Sequence, residues 1–160
     1  ELRIGRGQVK VDQVLQRVCD GAYPLLEQKN IALLREIPGE GDSPVLVQGD
    51  VFALRMAINN VLSNAIDFSP ENSEILVSLV EKGDFAEVSV ADRGPGLPEY
   101  AREKVFERFY SLKGQVTGRK GSGLGLCFVR EAAELHGGSA EIRDREGGGA
   151  ELIVRIKKEP

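Results

Sequence analysis

Apolar residues recur along this chain at two different spacings, and each spacing predicts one kind of element. A recurrence every three or four residues, typical of a helix with one buried face, predicts four helices at 12–29, 50–68, 98–106 and 123–136. Alternation, or a short apolar run bounded by turn residues, predicts six strands at 31–37, 45–47, 74–80, 85–91, 140–143 and 150–156. Helices packed on one face of a mixed, largely antiparallel sheet are therefore the expected architecture.

Residues with cap and turn preferences mark the ends of these elements. Asp12 and Asp50 stand at the starts of the first two helices, where an aspartate side chain can accept hydrogen bonds from backbone N–H groups. Pro98 suits the first turn of the third helix, and two glycines at 137–138 are placed to end the fourth. The turn at 82–84 joins two alternating strands and predicts a β-hairpin.

Composition narrows the class of protein. The 160 residues can form one domain with a sizeable core, and we expect a single domain over 1–160. A net charge of −4 argues against a broad nucleic-acid-binding surface. Cys19 and Cys127 lie in helical apolar patterns without CxxC spacing, so we expect buried free thiols in a reducing compartment. There is no signal-peptide pattern, no apolar run near the ~20 residues of a membrane span and no initial methionine, so we expect a cytoplasmic piece of a longer protein.

The most informative run lies at the start of the fourth helix: Gly121-Ser122-Gly123-Leu124-Gly125-Leu126. Its three alternating glycines lack side chains and tolerate positive φ, so the backbone can fold tightly around an anion. The helix that follows directs unpaired N–H groups and a partial positive charge to the same place, and Arg119 and Lys120 stand just before the run. These features predict a phosphate site, although glycines at a helix start are also common loop residues.

The second helix carries a pair of amides one turn apart. Asn60, Asn64 and Asp67 gather on the side opposite the apolar stripe, which is formed by Leu54, Ile58, Val61, Leu62 and Ala65. Asparagine is a poor helix former, so two of them on one face are unusual. Amide oxygens are hard ligands that suit a Mg²⁺ held mainly by substrate phosphates. Two exposed asparagines on an ordinary amphipathic helix are the alternative interpretation.

A third stretch follows the apolar strand at 85–91: Asp92-Arg93-Gly94-Pro95-Gly96. The Asp92 carboxylate would emerge at the strand end, where the two glycines let a flat ligand approach the backbone. A carboxylate only accepts hydrogen bonds, so it can bind an exocyclic amine such as that of adenine. An ordinary Asp-x-Gly turn after a strand is the alternative interpretation.

Together, the three motifs resemble the N, G1 and G2 boxes of the GHKL superfamily in order and spacing, and 106–110 resembles the F box of sensor histidine kinases. The resemblance covers roughly 9–156 and is to the catalytic ATP-binding domain of a two-component sensor kinase. The stretches 64–68 and 106–112 are most similar to kinases of the CreC type. The resemblance implies a Bergerat-type α/β fold, a two-layer α+β sandwich, with ATP between helices and sheet under a flexible lid at about 110–122.

The resemblance also implies a role for each site residue. Asn64 would ligate Mg²⁺, and Asn60 would help to hold the metal or the phosphates of ATP. Asp92 would accept a hydrogen bond from the adenine amino group, in a pocket shaped by Gly94 and Gly96.

The phosphates of ATP would lie on the glycine-rich run, which would also hinge the lid. The residues of the run with this implied role are Gly121, Gly123, Leu124 and Gly125. Asp67 departs from the family pattern, because many such kinases carry a basic residue there that faces the phosphates. An acid would repel them, so we expect compensation from basic residues: Arg108, Lys113, Arg119 and Lys120. Solvated charges on a loop of mixed charge are the alternative interpretation for each of these four.

The resemblance favours a kinase over a hydrolase. Hydrolytic members of the superfamily activate water with a glutamate where this chain has Asn60, and an amide cannot accept a proton at neutral pH. Phosphoryl transfer needs mainly positioning and charge neutralisation, which these residues can supply. The acceptor is expected elsewhere, because His136 is the only histidine and closes the fourth helix with no acid beside it to act as a base.

The resemblance implies the partners as well. We expect γ-phosphate transfer to a histidine on the dimerisation domain of the parent kinase, which lies outside this chain, and a response regulator downstream. The full-length protein would be a homodimer anchored in the inner membrane, and the isolated domain a monomer. Two alternatives are open: a serine/threonine kinase of the anti-sigma-factor type, and a degenerate nucleotide-binding module in which Asp67 signals lost turnover.

Overall fold

The structure, a computed structural model, describes residues 7–39, 41–107 and 125–159. Its elements follow in the order β1 (Gly7–Lys10), α1 (Val11–Gly21), α2 (Tyr23–Gln28), β2 (Ala32–Glu36), β3 (Leu46–Gly49), α3 (Val51–Phe68), β4 (Glu74–Lys82), β5 (Phe85–Ala91), α4 (Gly125–Leu135), β6 (Ser139–Asp144) and β7 (Ala150–Lys157). Two short turns of 3-10 helix, Glu99–Ala101 and Lys104–Phe106, lie between β5 and α4.

Five strands form the main sheet in the order β2-β4-β5-β7-β6. The pair β2 and β4 is parallel, and the other neighbours are antiparallel. Along β4, Ile75, Val77 and Leu79 are buried in one core with the apolar faces of α1, α3 and α4, while the residues between them are half-buried. The predicted α+β fold, a mixed and mostly antiparallel sheet packed against helices, is confirmed.

A second, smaller sheet pairs β1 with β3 antiparallel, from Gly7 opposite Gly49 to Lys10 opposite Leu46. The sequence patterns predicted β3 but not β1. The strand β1 has four residues and one buried side chain, that of Val9, so it is too short to show an alternating pattern. This strand is therefore specified by its partner rather than by its own sequence.

The predicted helix at 12–29 is two helices in the structure. α1 ends at Gly21 and α2 begins at Tyr23, with Pro24 in its first turn. Proline has no N–H group, and its ring clashes with the carbonyl four residues earlier, so it cannot continue the hydrogen bonds of α1. The apolar spacing continues across this break, which explains why the pattern predicted one element.

The two predicted aspartate caps have opposite outcomes. Asp50 caps α3, because its side chain accepts hydrogen bonds from the N–H groups of the second and third helical residues at 2.9 and 3.1 Å. Asp12 does not cap α1, so that prediction is wrong: Lys10 occupies the cap position, and Asp12 lies in the first turn. The Asp12 carboxylate accepts a hydrogen bond from the N–H of Val45 at 3.0 Å, a contact distant in sequence.

Of two other helix predictions, the first is wrong in part and the predicted end of the second is confirmed. The segment 98–106 forms two 3-10 turns rather than one helix, and Pro98 precedes the first turn in an extended conformation. α4 ends at the predicted glycines, where the Gly138 N–H donates to the Ala133 carbonyl at 2.8 Å. Of the helices in the described ranges, none is both long and apolar enough to cross a membrane.

Both cysteines are free thiols. Cys19 is buried in α1, and burial raises the pKa of its thiol. Cys127 is only half-buried, so the prediction of a buried thiol is wrong at this position. α4 turns Val129, Ala132 and Ala133 into the core, and residue 127 lies at the edge of that face.

Lys29, just after α2, closes the end of α3. Its ammonium group donates hydrogen bonds to the backbone carbonyls of Ile66, Asp67 and Ser69 at 2.8, 3.1 and 2.8 Å. Carbonyls at a helix C-terminus have few N–H partners and carry the negative end of the helix dipole. The lysine therefore acts as a C-cap supplied by another part of the chain.

We expect Lys29→Met to lower the free energy of unfolding by about 2 kcal/mol, because it removes charge-assisted hydrogen bonds while keeping the length of the side chain. Denaturant titration of both proteins measures the difference. The matched control is Lys104→Met, which changes an exposed lysine whose ammonium group makes no hydrogen bond in the described part of the chain. Equal stability losses for the two variants would contradict the capping role.

Candidate functional site

α3 holds the amide pair on a firmly packed scaffold. The predicted apolar stripe is buried in the core, with all five members included: Leu54, Ile58, Val61, Leu62 and Ala65. Asn60 and Asn64 are half-buried, and neither side-chain amide makes a hydrogen bond within the described ranges. Two amide oxygens one helical turn apart are thus accessible to a ligand.

The start of α4 lies close to Asn60, the first amide of this pair. A Cβ atom built on Gly125 would stand 3.8 Å from Cγ and 3.9 Å from Oδ1 of Asn60. The described end of the glycine-rich run is therefore so near the first amide that a methyl group at residue 125 would be in van der Waals contact with it. Two motifs more than sixty residues apart in sequence meet at one place.

Several predicted site residues lie outside the described residues, and their roles stay predictions. They are Arg108, Lys113, Arg119, Lys120, Gly121, Gly123 and Leu124. The predicted lid at 110–122 lies outside as well.

Asp92 stands where β5 ends, and it is only 6% exposed. Its Oδ1 accepts hydrogen bonds from the N–H groups of Gly94 at 2.8 Å and Ala150 at 3.2 Å. Its own N–H donates to the Ala150 carbonyl at 2.8 Å. No described residue donates to Oδ2. One carboxylate oxygen is thus used to hold the loop, and the other is left to accept from a ligand.

Burial raises the pKa of the Asp92 carboxyl above its ordinary value. The two backbone N–H donors and the nearby charge of Arg145 act in the opposite direction but do not cancel the effect of burial. The carboxyl therefore takes up a proton at a higher pH than an exposed aspartate does. Protonation would convert Oδ2 from an acceptor to a donor, so any hydrogen bond that Oδ2 accepted from an amine would depend on pH.

The two glycines that follow Asp92 are needed by the path of the backbone. A Cβ atom on Gly94 would lie 2.6 Å from the Phe68 carbonyl oxygen, which is closer than real contacts allow. Gly96 has φ of +75°, which other residues rarely adopt. The loop consequently passes directly against the end of α3, and this brings the Asp92 motif to the helix that carries the amides.

Arginines anchor this loop to the turn between β6 and β7. Arg93 Nη1 donates to the carbonyls of Glu146 at 2.9 Å and Gly148 at 3.2 Å. Arg145 donates to the Ala91 carbonyl at 3.3 Å. The sequence patterns missed both anchors, because their partners are backbone atoms of distant residues and leave no local signal.

Asp67 is half-buried in the last turn of α3. The Lys29 ammonium hydrogen-bonds the Asp67 carbonyl, so a cation lies at the same helix end as the acid. Lys29 was not among the basic residues predicted to compensate for Asp67. Its role at the end of α3 had no sequence signal beyond a single basic residue in a helical pattern.

The first residue of the predicted F box, Phe106, is buried against α4. The guanidinium of Arg130 lies 4.4 Å from the centre of the Phe106 ring and pairs with Glu103. This cluster fixes the described start of the F box on the helix that begins at Gly125.

His136 is a buried structural histidine. It is 5% exposed, and its Nδ1 hydrogen-bonds the Ala132 carbonyl at 2.7 Å, so this nitrogen carries the proton. Its Nε2 accepts from the Asp50 N–H at 3.1 Å. Because both ring nitrogens are used inside the protein, the histidine links the end of α4 to the start of α3.

The donor atoms present suit magnesium better than softer metals. Within the described residues, no group of three or more His, Cys, Asp or Glu side chains could hold a metal ion. The half-buried amides of Asn60 and Asn64 offer neutral, hard oxygens instead. Such a pair fits a cation that keeps several waters and receives its remaining ligands from nucleotide phosphates.

Comparison with known proteins agrees with this geometry. A model of the family described as histidine kinase-, DNA gyrase B- and HSP90-like ATPase matches residues 49–160. Sensor protein CreC of Escherichia coli (strain K12) is 37% identical over 150 residues, which is 94% of this chain and 30% of that protein. Sensor-type histidine kinase PrrB of Mycobacterium leprae is 38% identical over 149 residues, 92% of this chain and 31% of that protein. The chain thus spans about a third of the length of these two relatives.

Solved structures show the same fold over nearly the whole chain. A mycobacterial sensor histidine kinase, MprB, has a TM-score of 0.80 and 28% identity, covering 98% of this chain and 99% of that one. The catalytic domain of histidine kinase ThkA has a TM-score of 0.83 and 25% identity, covering 99% and 100%. This chain therefore belongs to the family of histidine kinase-, DNA gyrase B- and HSP90-like ATPases, and its similar proteins within that family are sensor histidine kinases.

Proposed function

We propose that this chain, over 1–160, is one catalytic domain that binds Mg²⁺-ATP and donates the γ-phosphate to a histidine on a separate dimerisation domain of its parent sensor kinase. The observation that carries the proposal is the convergence of three motifs along α3. Gly125 lies against Asn60, and Gly94 lies against the Phe68 carbonyl. A nucleotide held at Asp92 would therefore have the amides and the start of α4 within its reach.

Each residue has a part in this proposal. Asp92 binds the adenine amine through Oδ2, while Oδ1 keeps the loop in place through its two backbone donors. Asn64 and Asn60 hold the metal, which supplies charge neutralisation at the phosphates. The backbone N–H groups at the start of α4, beginning with Gly125, face the phosphates. Arg108 and Lys120, with Gly121, Gly123 and Leu124, complete the phosphate contacts.

Two described residues support a kinase that needs an external acceptor. Asn60 carries an amide, which cannot take a proton from water, so the site lacks the base of a hydrolase at that position. His136 is buried with both ring nitrogens engaged, so it cannot meet a γ-phosphate without local unfolding. The domain therefore positions ATP, and a partner supplies the nucleophile.

The names of the similar proteins, all sensor kinases, support the proposed setting. The acceptor histidine would lie on the dimerisation domain of a homodimeric parent protein, and a response regulator would receive the phosphate. The domain itself would be monomeric and would work on the cytoplasmic side of the inner membrane.

The test is a transfer assay with ATP that carries a labelled γ-phosphate. Alone, the domain is expected to bind ATP, to release phosphate slowly and to remain unlabelled. Addition of a histidine-bearing helical domain from the parent kinase should give labelled acceptor, and acid treatment should remove the label, because phosphohistidine is acid-labile and phosphoserine is not.

Each other outcome contradicts the proposal in a distinct way. Rapid phosphate release by the isolated domain would indicate a hydrolase. An acid-stable label on a partner would indicate a serine/threonine kinase of the anti-sigma-factor type. Tight ATP binding without transfer to the cognate acceptor would indicate a degenerate binding module.

A further inference from the structure

A groove of about 330 Å³ opens between β1, α1 and the start of α3. Its polar lining comes from three cations and two amides, and three valines contribute apolar walls. The lining residues are Lys10, Arg17, Arg55, Gln8, Gln13, Val9, Val14 and Val51. We name this surface the basic groove. None of the described nucleotide-site residues lines it.

Within the described residues, no ion pair compensates the charge of the basic groove. Lys10, Arg17 and Arg55 are exposed, and none of the three forms an ion pair within the described part of the chain. No carboxylate is among the residues that line the groove. The chain as a whole is acidic, with a net charge of −4, so this local excess of positive charge is opposite to the overall charge.

An apolar patch adjoins these cations. Phe52 is 71% exposed and Met56 is 56% exposed, and their spacing of four residues places both on one face of α3. The Arg55 guanidinium lies 5.8 Å from the centre of the Phe52 ring, so the patch is continuous with the basic groove. The two side chains form one apolar patch beside three cations, and an apolar patch with a polar rim is a feature of protein interaction sites.

We propose that the basic groove and the Phe52–Met56 patch dock an acidic amphipathic helix of a partner protein. The apolar face of that helix covers Phe52 and Met56, and carboxylates along its flank meet Lys10, Arg17 and Arg55. A helix fits the basic groove between α1 and α3. Its residues four apart form a ridge, and such a ridge can pack beside the row of side chains that has the same spacing on α3. This interface is separate from the nucleotide site and does not depend on the proposed kinase activity.

The probe is a synthetic helical peptide with leucines at a spacing of three and four residues and glutamates on both flanks. Titrated into the domain, it should shift the backbone amide signals of residues 10–17 and 51–56. Arg17→Glu should weaken binding about tenfold, because it replaces attraction by like-charge repulsion. The control Lys82→Glu makes the same change of charge outside the groove, at an exposed lysine 3.6 Å from Glu87, and should bind as the parent does.

A second variant, Phe52→Ser, should also weaken binding of the peptide. Both variants should bind ATP with the affinity of the parent, which would show that they fold. The proposal is overturned if a peptide with lysines in place of glutamates binds equally well, or if Lys82→Glu weakens binding as much as Arg17→Glu. It is also overturned if Phe52→Ser removes a self-association seen by sedimentation, or if anionic vesicles occupy the groove while the peptide does not bind.

Discussion

Asn64→Ala is expected to abolish phosphate transfer to the acceptor domain and to remove most of the magnesium dependence of ATP binding. The Asn64 amide makes no hydrogen bond within the described ranges, so its loss leaves no buried group without a partner and should change stability little. Under the proposed function the effect on the metal is large, because the amide pair would supply the protein ligands, and phosphoryl transfer depends on neutralising the phosphates.

A second substitution at the same position tests charge rather than ligand loss. Asn64→Asp keeps the size of the side chain but adds a negative charge on the helix face that already carries Asp67, close to where the polyphosphate would lie. It too should abolish transfer. Transfer assays and calorimetric titrations with and without magnesium measure both effects.

Asn59→Ala is the matched control, because it removes an exposed amide of the same helix next to Asn60. It should leave transfer and magnesium dependence as they are in the parent protein. Unchanged magnesium dependence in Asn64→Ala would show that other groups hold the metal. A stability loss that explains the lost transfer would be seen in denaturant titrations of the same variants.

The predictions from sequence succeeded where the cause of structure is local. α3 could be predicted because Asp50 and the apolar stripe lie within the element itself. The same reasoning failed for Asp12, although the residue type and position are equivalent. Its carboxylate binds the N–H of Val45, which comes from a distant part of the chain. A cap residue can be chosen from sequence only when no distant donor competes for it.

The residues of the candidate site fall into the same two groups, those specified by local sequence and those specified by distant partners. The positions of Asn60, Asp92 and Gly94 could be predicted because an amide pair, a strand-end carboxylate and a glycine each limit the chemistry of their own position, while their roles toward a nucleotide stay predictions. Lys29 and Arg93 could not, because their partners are backbone carbonyls that the fold brings to them. Any basic side chain looks the same in a sequence whether it contacts solvent or the end of a helix.

Asp92→Asn should weaken ATP binding at least tenfold while the domain stays folded. The variant amide has one oxygen, which is needed by the N–H donors of Gly94 and Ala150, so its NH₂ group takes the place of Oδ2. A donor then faces the adenine amine, which is also a donor. Loss of a charge-assisted hydrogen bond accounts for ~1.5–3 kcal/mol, which corresponds to about ten- to a hundredfold in affinity.

Nucleotide choice distinguishes this reversal from a general loss of binding. The parent should prefer ATP to GTP, because guanine presents a carbonyl oxygen where adenine presents the amine. In Asp92→Asn the ratio of the two affinities should fall, since the amide NH₂ can donate to that carbonyl. Equal affinity of the parent for ATP and GTP in calorimetric titrations would exclude Asp92 as the adenine acceptor.

The dependence on pH gives an independent test of the same carboxylate. Because burial raises the pKa of Asp92, the folded protein binds a proton there at a higher pH than the unfolded chain does. The stability contributed by this group is therefore fully present below the pKa of the unfolded chain and is lost as pH rises through the folded pKa.

Asp92→Asn should be more stable than the parent above the raised pKa, and this advantage should disappear as pH falls to the ordinary range of an aspartate. ATP affinity of the parent should fall over the same interval, because a protonated Oδ2 no longer accepts from adenine. A constant stability difference between the two proteins, measured by denaturant titration across this interval, would show that Asp92 does not carry the buried charge on which its proposed recognition of adenine depends.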